Sequence, residues 1–380
     1  MDLPEARASI REIDSQIATL MTRRMEAVKA VAQYKAAHSL PVHDPQVERQ
    51  KLAELAAQVG EEMAPVIDAL FPVIFNLSRS AQNRLIHGDS PLKAAIRHAI
   101  EHTDRELPAR PLVACQGVEG AYSQQALGRL FPAGNTLYFN SFEKVFSAVE
   151  QGLCRYGMLP LENSTAGSVS RIYDLMMAHD FYIVRSCRVK VDHCLLANRG
   201  VRLSDIREIV SHEQAIAQCQ DFLQSLPGVK VNVCANTAEA AKAVQSSGRR
   251  DLAALSSRAC AELYGLDCLQ DSVQDRGNNY TRFICISKQL EIYPGAHRTS
   301  LMMVLPNRVG SLYTVLSRLY ALGINLIKLE SRPLANSDFE FMFYFDLDTS
   351  VYAGKFLRVF DDLAGEVVSL KYLGSYTEVV

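Results

Sequence analysis

The chain has 380 residues, 48% hydrophobic and 22% charged, a balance that suits several ordinary globular cores and excludes a disordered or fibrous protein. Lys and Arg total 40 against 42 Asp and Glu, so there is no basic excess to neutralise nucleic-acid phosphates, and any anion site must be local. No apolar run approaches the roughly 18 residues that span a bilayer. The start MDLPEARASIREIDS lacks a signal-peptide core, and nine cysteines without a C-x-x-C pair read as reduced thiols of a cytoplasmic protein.

From Pro4 the apolar residues Ile10, Ile13, Ile17, Leu20, Val28 and Val31 recur at helical spacing and predict one long helix. A break at Ser39-Leu40-Pro41 precedes a second helix over 45–59 and a third over 65–87. Residues 1–90 are therefore expected to form an all-α domain. Three helices leave too much apolar surface for a compact monomer of this size, which implies pairing with a second copy.

Positions 89–110 read as a polar link. Beyond it, 112–116, 156–160, 209–212, 229–235, 252–256 and 283–287 read as strands, most of them followed by helical patterns. An α/β region of two lobes over 108–290 is expected, the chain leaving the first lobe near Lys190 and returning near Asp275. Over 297–380 the order is βαββαβ, with strands 299–305, 325–330, 339–346 and 370–376 and helices 310–322 and 353–363, an α+β ferredoxin-like module.

Several polar residues converge in the helical domain. Arg24 and Lys35, 11 residues apart, fall within about 20° of one face and about 16 Å along it, so both can reach one anion. Arg7, 17 residues before Arg24, is turned roughly 100° away, toward where a second copy would lie. Asp44 with Glu48 and Ser78 with Gln82 are i, i+4 pairs that can face the same pocket. In the α/β region, Gly117–Ser123 (GVEGAYS) follows a strand and opens a helix, which offers free backbone N–H groups to an anion. The segment Pro160–Ser168 (PLENSTAGS) does the same with small hydroxyl residues. Ser211-His212 closes a strand, and Asn278–Arg282 precedes Phe283.

Taken together, the helical set Arg7, Arg24, Lys35, Asp44, Glu48, Ser78 and Gln82 resembles the all-helical chorismate mutases, whose dimers share their sites. The resemblance implies that Arg7 of the partner subunit and Arg24 hold carboxylates, Lys35 and Gln82 meet the ether oxygen, and Asp44 with Glu48 holds the hydroxyl. One departure is Val47, where the family usually has Arg before the glutamate. The ordered motifs GVEGAYS, SFEKVFSAVEQG, PLENSTAGSV, SHEQAIAQC and NYTRF resemble prephenate dehydratase, which implies a fold similar to periplasmic binding proteins. Thr281 would be the essential hydroxyl, Arg282 a carboxylate ligand, Asn163, Ser164 and Thr165 substrate contacts, and Glu162 or His212 a proton source. Gly310-Ser311-Leu312 (where GAL is usual) and Glu330-Ser331-Arg332-Pro333 resemble the ligand motifs of the ACT domain, with Asn325 beside them.

The resemblance implies a bifunctional enzyme of phenylalanine biosynthesis. It would bind chorismate, prephenate and, as regulator, phenylalanine, work as a homodimer or dimer of dimers, and require no cofactor or metal. Two alternatives are a monofunctional dehydratase whose helical domain only assembles dimers, and a binding protein that traps a ligand without turnover.

Overall fold

The computed structural model describes residues 2–87, 90–334, 341–354 and 356–380. Its helices and strands in chain order begin with α1 (Leu3–Ala37), α2 (Pro45–Val59), α3 (Ala64–His87) and α4 (Pro91–His102). The first lobe brings β1 (Leu112–Gln116), α5 (Tyr122–Leu130), β2 (Asn135–Phe139), α6 (Phe142–Glu150), β3 (Tyr156–Asn163), β4 (Gly167–Ser168), α7 (Ser170–Ala178) and β5 (Tyr182–Lys190). Next come β6 (His193–Ala197), β7 (Glu208–Ser211), α8 (Glu213–Ala217), α9 (Gln220–Gln224), β8 (Lys230–Val233), α10 (Thr237–Ser247), β9 (Leu252–Ser257), α11 (Arg258–Tyr264) and β10 (Asp267–Gln270). The chain ends through β11 (Tyr280–Ser287), β12 (Arg298–Val304), α12 (Ser311–Ala321), β13 (Asn325–Pro333), β14 (Phe341–Asp348), α13 (Arg358–Leu363) and β15 (Ser369–Val379). Two compact units emerge, Met1–Arg97 with Met303–Lys371, and His98–Met302 with Tyr372–Val380.

In the first unit, Asp2 and Glu5 form a reciprocal capping box at the start of α1, and Asp44 caps α2 just before Pro45. Helix α3 packs against α1, α2 and α13, and it tolerates Pro72 in its interior. Only Val28 and Ala32 of α1 are buried, whereas Ile10, Ile13, Ile17 and Leu20 are each at least 50% exposed. The apolar stripe of α1 is thus left uncovered within one chain. Strands β13 and β14 pair antiparallel, and β13 is an edge strand.

In the second unit, parallel β2-β1-β3 continues into antiparallel β11 and β5, and β15 joins β5 in parallel. A second sheet of order β10-β6-β9-β7-β8 forms the other lobe. The chain passes between the lobes after β5 and before β11, leaving a cleft between them.

Several elements differ from expectation. The link predicted over 89–110 contains α4, whose Ile96 and Ala99 are buried, so its few apolar residues fall on one face of a short amphipathic helix. Strands β2, β4, β5, β6 and β10 had no clear period-2 signal; β6 is buried at every position and therefore does not alternate. Helix α13 is shorter than the 353–363 expected, and positions 339 and 340 of the strand expected over 339–346 lie outside the described residues.

Gly374 in β15 has φ +135, and a Cβ there would stand 2.3 Å from the Ile183 carbonyl oxygen. Backbone strain and the clash with a neighbouring strand should each cost about 1–3 kcal/mol. Gly374→Ala is expected to lower the thermal unfolding midpoint by several degrees in differential scanning calorimetry.

Candidate functional site

The cleft of the second unit encloses a cavity of about 480 Å³ lined by Ser123, Asn163, His193, His212, Thr281 and Phe283, among others. Strand β11 pairs with β3 so that Thr281 lies opposite Asn163. Strand alternation then turns Thr281 and Phe283 into the cavity and Arg282 to the opposite face.

Asn163 is 8% exposed, and it organises the centre. Its Nδ2 donates to Thr281 Oγ1 at 3.0 Å and to Asn279 Oδ1 at 2.7 Å. Its Oδ1 accepts from the Thr165 amide at 3.0 Å, Thr165 Oγ1 at 2.7 Å and the Ala166 amide at 2.9 Å. Because Thr281 Oγ1 accepts from Asn163, the threonine proton is left to donate. Gln218 extends the network: its Nε2 donates to Thr165 Oγ1 at 3.1 Å, and its Oε1 accepts from Asn279 Nδ2 at 2.9 Å. Ser164 Oγ donates to the Asn278 carbonyl and accepts from the Tyr280 amide, so it fastens the loop to β11.

His212 caps α8, its Nδ1 accepting from the Gln214 amide at 3.2 Å, which leaves the ring proton on Nε2. His193, which the sequence reading did not single out, is 2% exposed, and burial holds its pKa below the ordinary histidine value. Its Nε2 lies 3.2 Å from Gln218 Oε1. The visible signal was a lone histidine heading a fully apolar strand.

Arg282 is placed otherwise than expected. It is 4% exposed, its Nε 2.8 Å from Glu378 Oε1, with Nη2 donating to Tyr376 Oη at 3.0 Å and Nη1 to Glu162 Oε1 at 3.3 Å. Glu378 also meets Arg188 and Arg298. Neither Arg282 nor Glu162 lines the cavity, and among the described residues no Lys or Arg does. The N-terminal ends of α5, α7, α8 and α10 reach it instead, through Ala121–Ser123, Val169, His212 and Thr237. Each carries partial positive charge, and the first-turn N–H groups that the caps His212 and Asn236 do not take are a natural seat for carboxylates.

In the first unit, Arg24 Nη1 donates to Ser78 Oγ, and Lys35 Nζ donates to the Val42 carbonyl at 2.7 Å. Gln82 is 7% exposed, with Nε2 3.3 Å from the Ser78 carbonyl. Asp44 Oδ1 accepts from the Gln46 and Val47 amides as the cap of α2. Glu48 receives Arg79 Nη1 at 2.5 and 2.6 Å. Arg7 is exposed on α1. Gly310 and Ser311 line a cavity of about 260 Å³ together with His43, Glu48, Arg79 and Glu366. Leu312 follows them in α12, whereas Asn325, Glu330, Ser331 and Arg332 lie along β13. The clustered metal-ligating side chains among the described residues are Cys194, Cys268 and Asp271, none of which lines the cleft cavity, and Arg258 already pairs with Asp271 at 3.0 Å.

Residues 113–291 match the family model of prephenate dehydratase, and residues 6–83 match that of chorismate mutase type II. The bifunctional chorismate mutase/prephenate dehydratase of Enterobacter agglomerans is 30% identical over 97% of this chain and 94% of its own length. The chain belongs to the bifunctional chorismate mutase/prephenate dehydratase family. Among further proteins similar to this chain, arogenate dehydratase/prephenate dehydratase 2 of Arabidopsis thaliana is 36% identical over 79% of this chain and 82% of that protein. The crystal structure of prephenate dehydratase in complex with L-Phe from Arthrobacter aurescens is 27% identical, with a TM-score of 0.64, covering 70% of this chain and 89% of that one. No described helix is long and apolar enough to cross a membrane.

Asn163→Asp keeps the acceptor oxygen that orders the loop but removes the donor to Thr281 and adds negative charge to an anion cleft. Losing one such oriented interaction should slow dehydration about ten- to a hundredfold. Circular dichroism should be unchanged, so that phenylpyruvate formation alone reports the loss.

Proposed function

We propose that this chain rearranges chorismate to prephenate in its helical domain and converts prephenate to phenylpyruvate in its cleft, the two steps serving phenylalanine biosynthesis. The observation that carries the dehydratase reading is the Asn163–Thr281 hydrogen bond, which orients a hydroxyl as donor within an anion-receptive cavity. Prephenate is primed to lose its ring carboxylate as CO₂ and its ring hydroxyl as water, because an aromatic ring results. The C–C bond to the carboxylate breaks, its electron pair enters the ring, and the C–O bond to the hydroxyl breaks with uptake of one proton. Thr281 hydrogen-bonds the departing oxygen and relays the proton, and the Nε2–H of His212 is a second donor from the opposite lobe. The helix N-termini hold the carboxylates, a role that passes from Arg282 to backbone N–H groups. Asn163, Thr165 and Ser164 keep the Thr281 hydroxyl and its loop in register.

The mutase step is unimolecular, so the protein needs to fold the substrate and stabilise charge on the ether oxygen. Arg24 and Arg7 of the partner subunit bind its carboxylates, Lys35 and Gln82 meet the ether oxygen, and Glu48 with Asp44 takes the hydroxyl. The uncovered stripe of α1 supports assembly as a homodimer, further paired through edge strand β13 into a dimer of dimers. Phenylalanine binds the ACT-like module at Gly310, Ser311 and Leu312 and at Glu330, Ser331 and Arg332 of a paired copy, with Asn325 beside them, and feeds back on the dehydratase. The nine free cysteines fit a reducing cytoplasm.

The purified protein is expected to consume chorismate and to release phenylpyruvate from prephenate faster than it converts arogenate. Thr281→Ala should abolish dehydration and spare the mutase, whereas Lys35→Ala should do the reverse. No chorismate loss above the uncatalysed rate, at concentrations where the protein is dimeric, would leave the helical domain as an assembly scaffold. Gly310 has φ +83, so Gly310→Val strains the turn that opens α12. That variant should lose phenylalanine binding in isothermal calorimetry and keep dehydrating prephenate; unchanged binding would put the effector elsewhere.

A further inference from the structure

Position 47 bears Val, 57% exposed, where the resemblance to chorismate mutases implies an arginine beside Glu48. Nevertheless a guanidinium reaches that glutamate. Arg79, one residue beyond Ser78 on α3, places Nη1 at 2.5 and 2.6 Å from the two oxygens of Glu48. Its side chain is 11% exposed and that of Glu48 28%. On the other side, Arg79 Nε donates to Glu366 Oε1 at 2.7 Å, and the Glu366 side chain is 5% exposed.

Glu366 belongs to the turn between α13 and β15, and that turn is itself fastened to α3. Asn83 Nδ2 donates to the Ala364 carbonyl at 2.7 Å, Arg84 pairs with Asp362 at 3.2 Å, and Lys93 pairs with Asp361 at 2.6 Å. Arg308 Nη2 lies 3.4 Å from Glu366 Oε2, and His43 Nε2 lies 3.6 Å from Glu48. Burial, and then Arg79, hold His43 below its ordinary pKa, so it brings little charge of its own near neutral pH. Arg79 is therefore the cation in contact with Glu48.

We infer that Arg79 is a positioning residue of the mutase site, supplying from α3 the guanidinium that position 47 of α2 lacks, and that Glu366 of the C-terminal module holds it there. The inference rests on the mutase reading of the helical domain. Glu48 must present a carboxylate to the substrate hydroxyl, yet it adds negative charge beside a substrate with two carboxylates. A guanidinium bonded to Glu48 fixes the carboxylate's direction and offsets that charge without touching the substrate. Fully occupied by Glu48 alone, a long side chain on α3 would still sample other rotamers; the buried Glu366 confines it. The mutase site is then completed by residues far along the chain, on a module attached to the dehydratase.

The test uses the full-length chain and compares native protein, Arg79→Met, Arg79→Met with Val47→Arg, and Glu366→Gln. Chorismate loss and phenylpyruvate formation are measured for each. Arg79→Met should lower mutase kcat/KM about ten- to a hundredfold, the worth of one charge-assisted hydrogen bond. Dehydratase turnover and sedimentation should stay at native values. Adding Val47→Arg should recover at least about tenfold of a full loss, because the charge returns from the neighbouring helix, and a purely structural role for Arg79 would not be rescued in this way. Glu366→Gln should fall between native and Arg79→Met. A mutase rate in Arg79→Met within about threefold of native, or a loss that Val47→Arg leaves unrelieved, overturns the inference while leaving the mutase reading intact. Native protein without mutase activity overturns both.

Discussion

Successive side chains of a strand point to opposite faces, and at the pairing of β3 with β11 this constraint separates cavity-facing groups from those behind the sheet. Asn163 and Thr281 are register partners and face the cavity; Glu162 and Arg282 are also register partners and face away from it. Shifting the register by one residue would bury the charged pair in the cleft and send the hydroxyl behind the sheet. The ion pairs of Arg282 with Glu162 and Glu378 secure that register from behind, with Tyr376 and Glu378 coming from β15. The same cluster holds the C-terminal strand to the sheet that carries Thr281, so the charge adjacent to Thr281 is engaged by the frame.

On the proposed function, the two sites would meet the same demand, holding a dianion, by different means. In the cleft, converging helix ends would supply N–H groups and partial charges fixed by the fold, and no long side chain would have to be ordered when substrate enters. In the helical domain, residues on the flanks of long helices would have to reach the ligand with flexible cationic side chains. Those side chains need partners to hold them, as Ser78 does for Arg24 and the Val42 carbonyl does for Lys35. The difference follows from secondary structure: strand-to-helix turns place several helix N-termini around one cleft, whereas side-by-side helices present only their flanks.

The helical domain was legible because one period, 3.6 residues, governs its apolar stripe. Helices α1 and α2 fell close to where capping and the Ser39-Leu40-Pro41 break put them. In the α/β region the motifs located Asn163, Thr281 and His212, while fully buried β6 gave no alternation and hid His193. Helix α4 was lost in a segment judged by its charge. Arg282 was misplaced for a different reason. A motif names a residue without stating which face of its strand it occupies, and that depends on a partner strand more than a hundred residues away.

Arg79 shows the complementary limit of reading by position. A comparison at position 47 registers only a missing charge, since Val47 and Arg79 are remote in sequence and sit on different helices. Within a pocket, what matters is where the guanidinium ends up, and an arginine side chain is long enough to reach one point from either helix. Moving the charge from α2 to α3 changes what can hold it. At position 47 it would stand on an exposed surface, free to solvent. On α3 it is flanked by a buried carboxylate from the turn after α13, so ordering it requires that turn to be docked. On the inference above, the charge thereby links the geometry of Glu48 to the placement of a turn far along the chain but in the same compact unit. The cavity lined by Gly310 and Ser311, with Glu48 and Arg79 on its wall, lies where such a link would be felt.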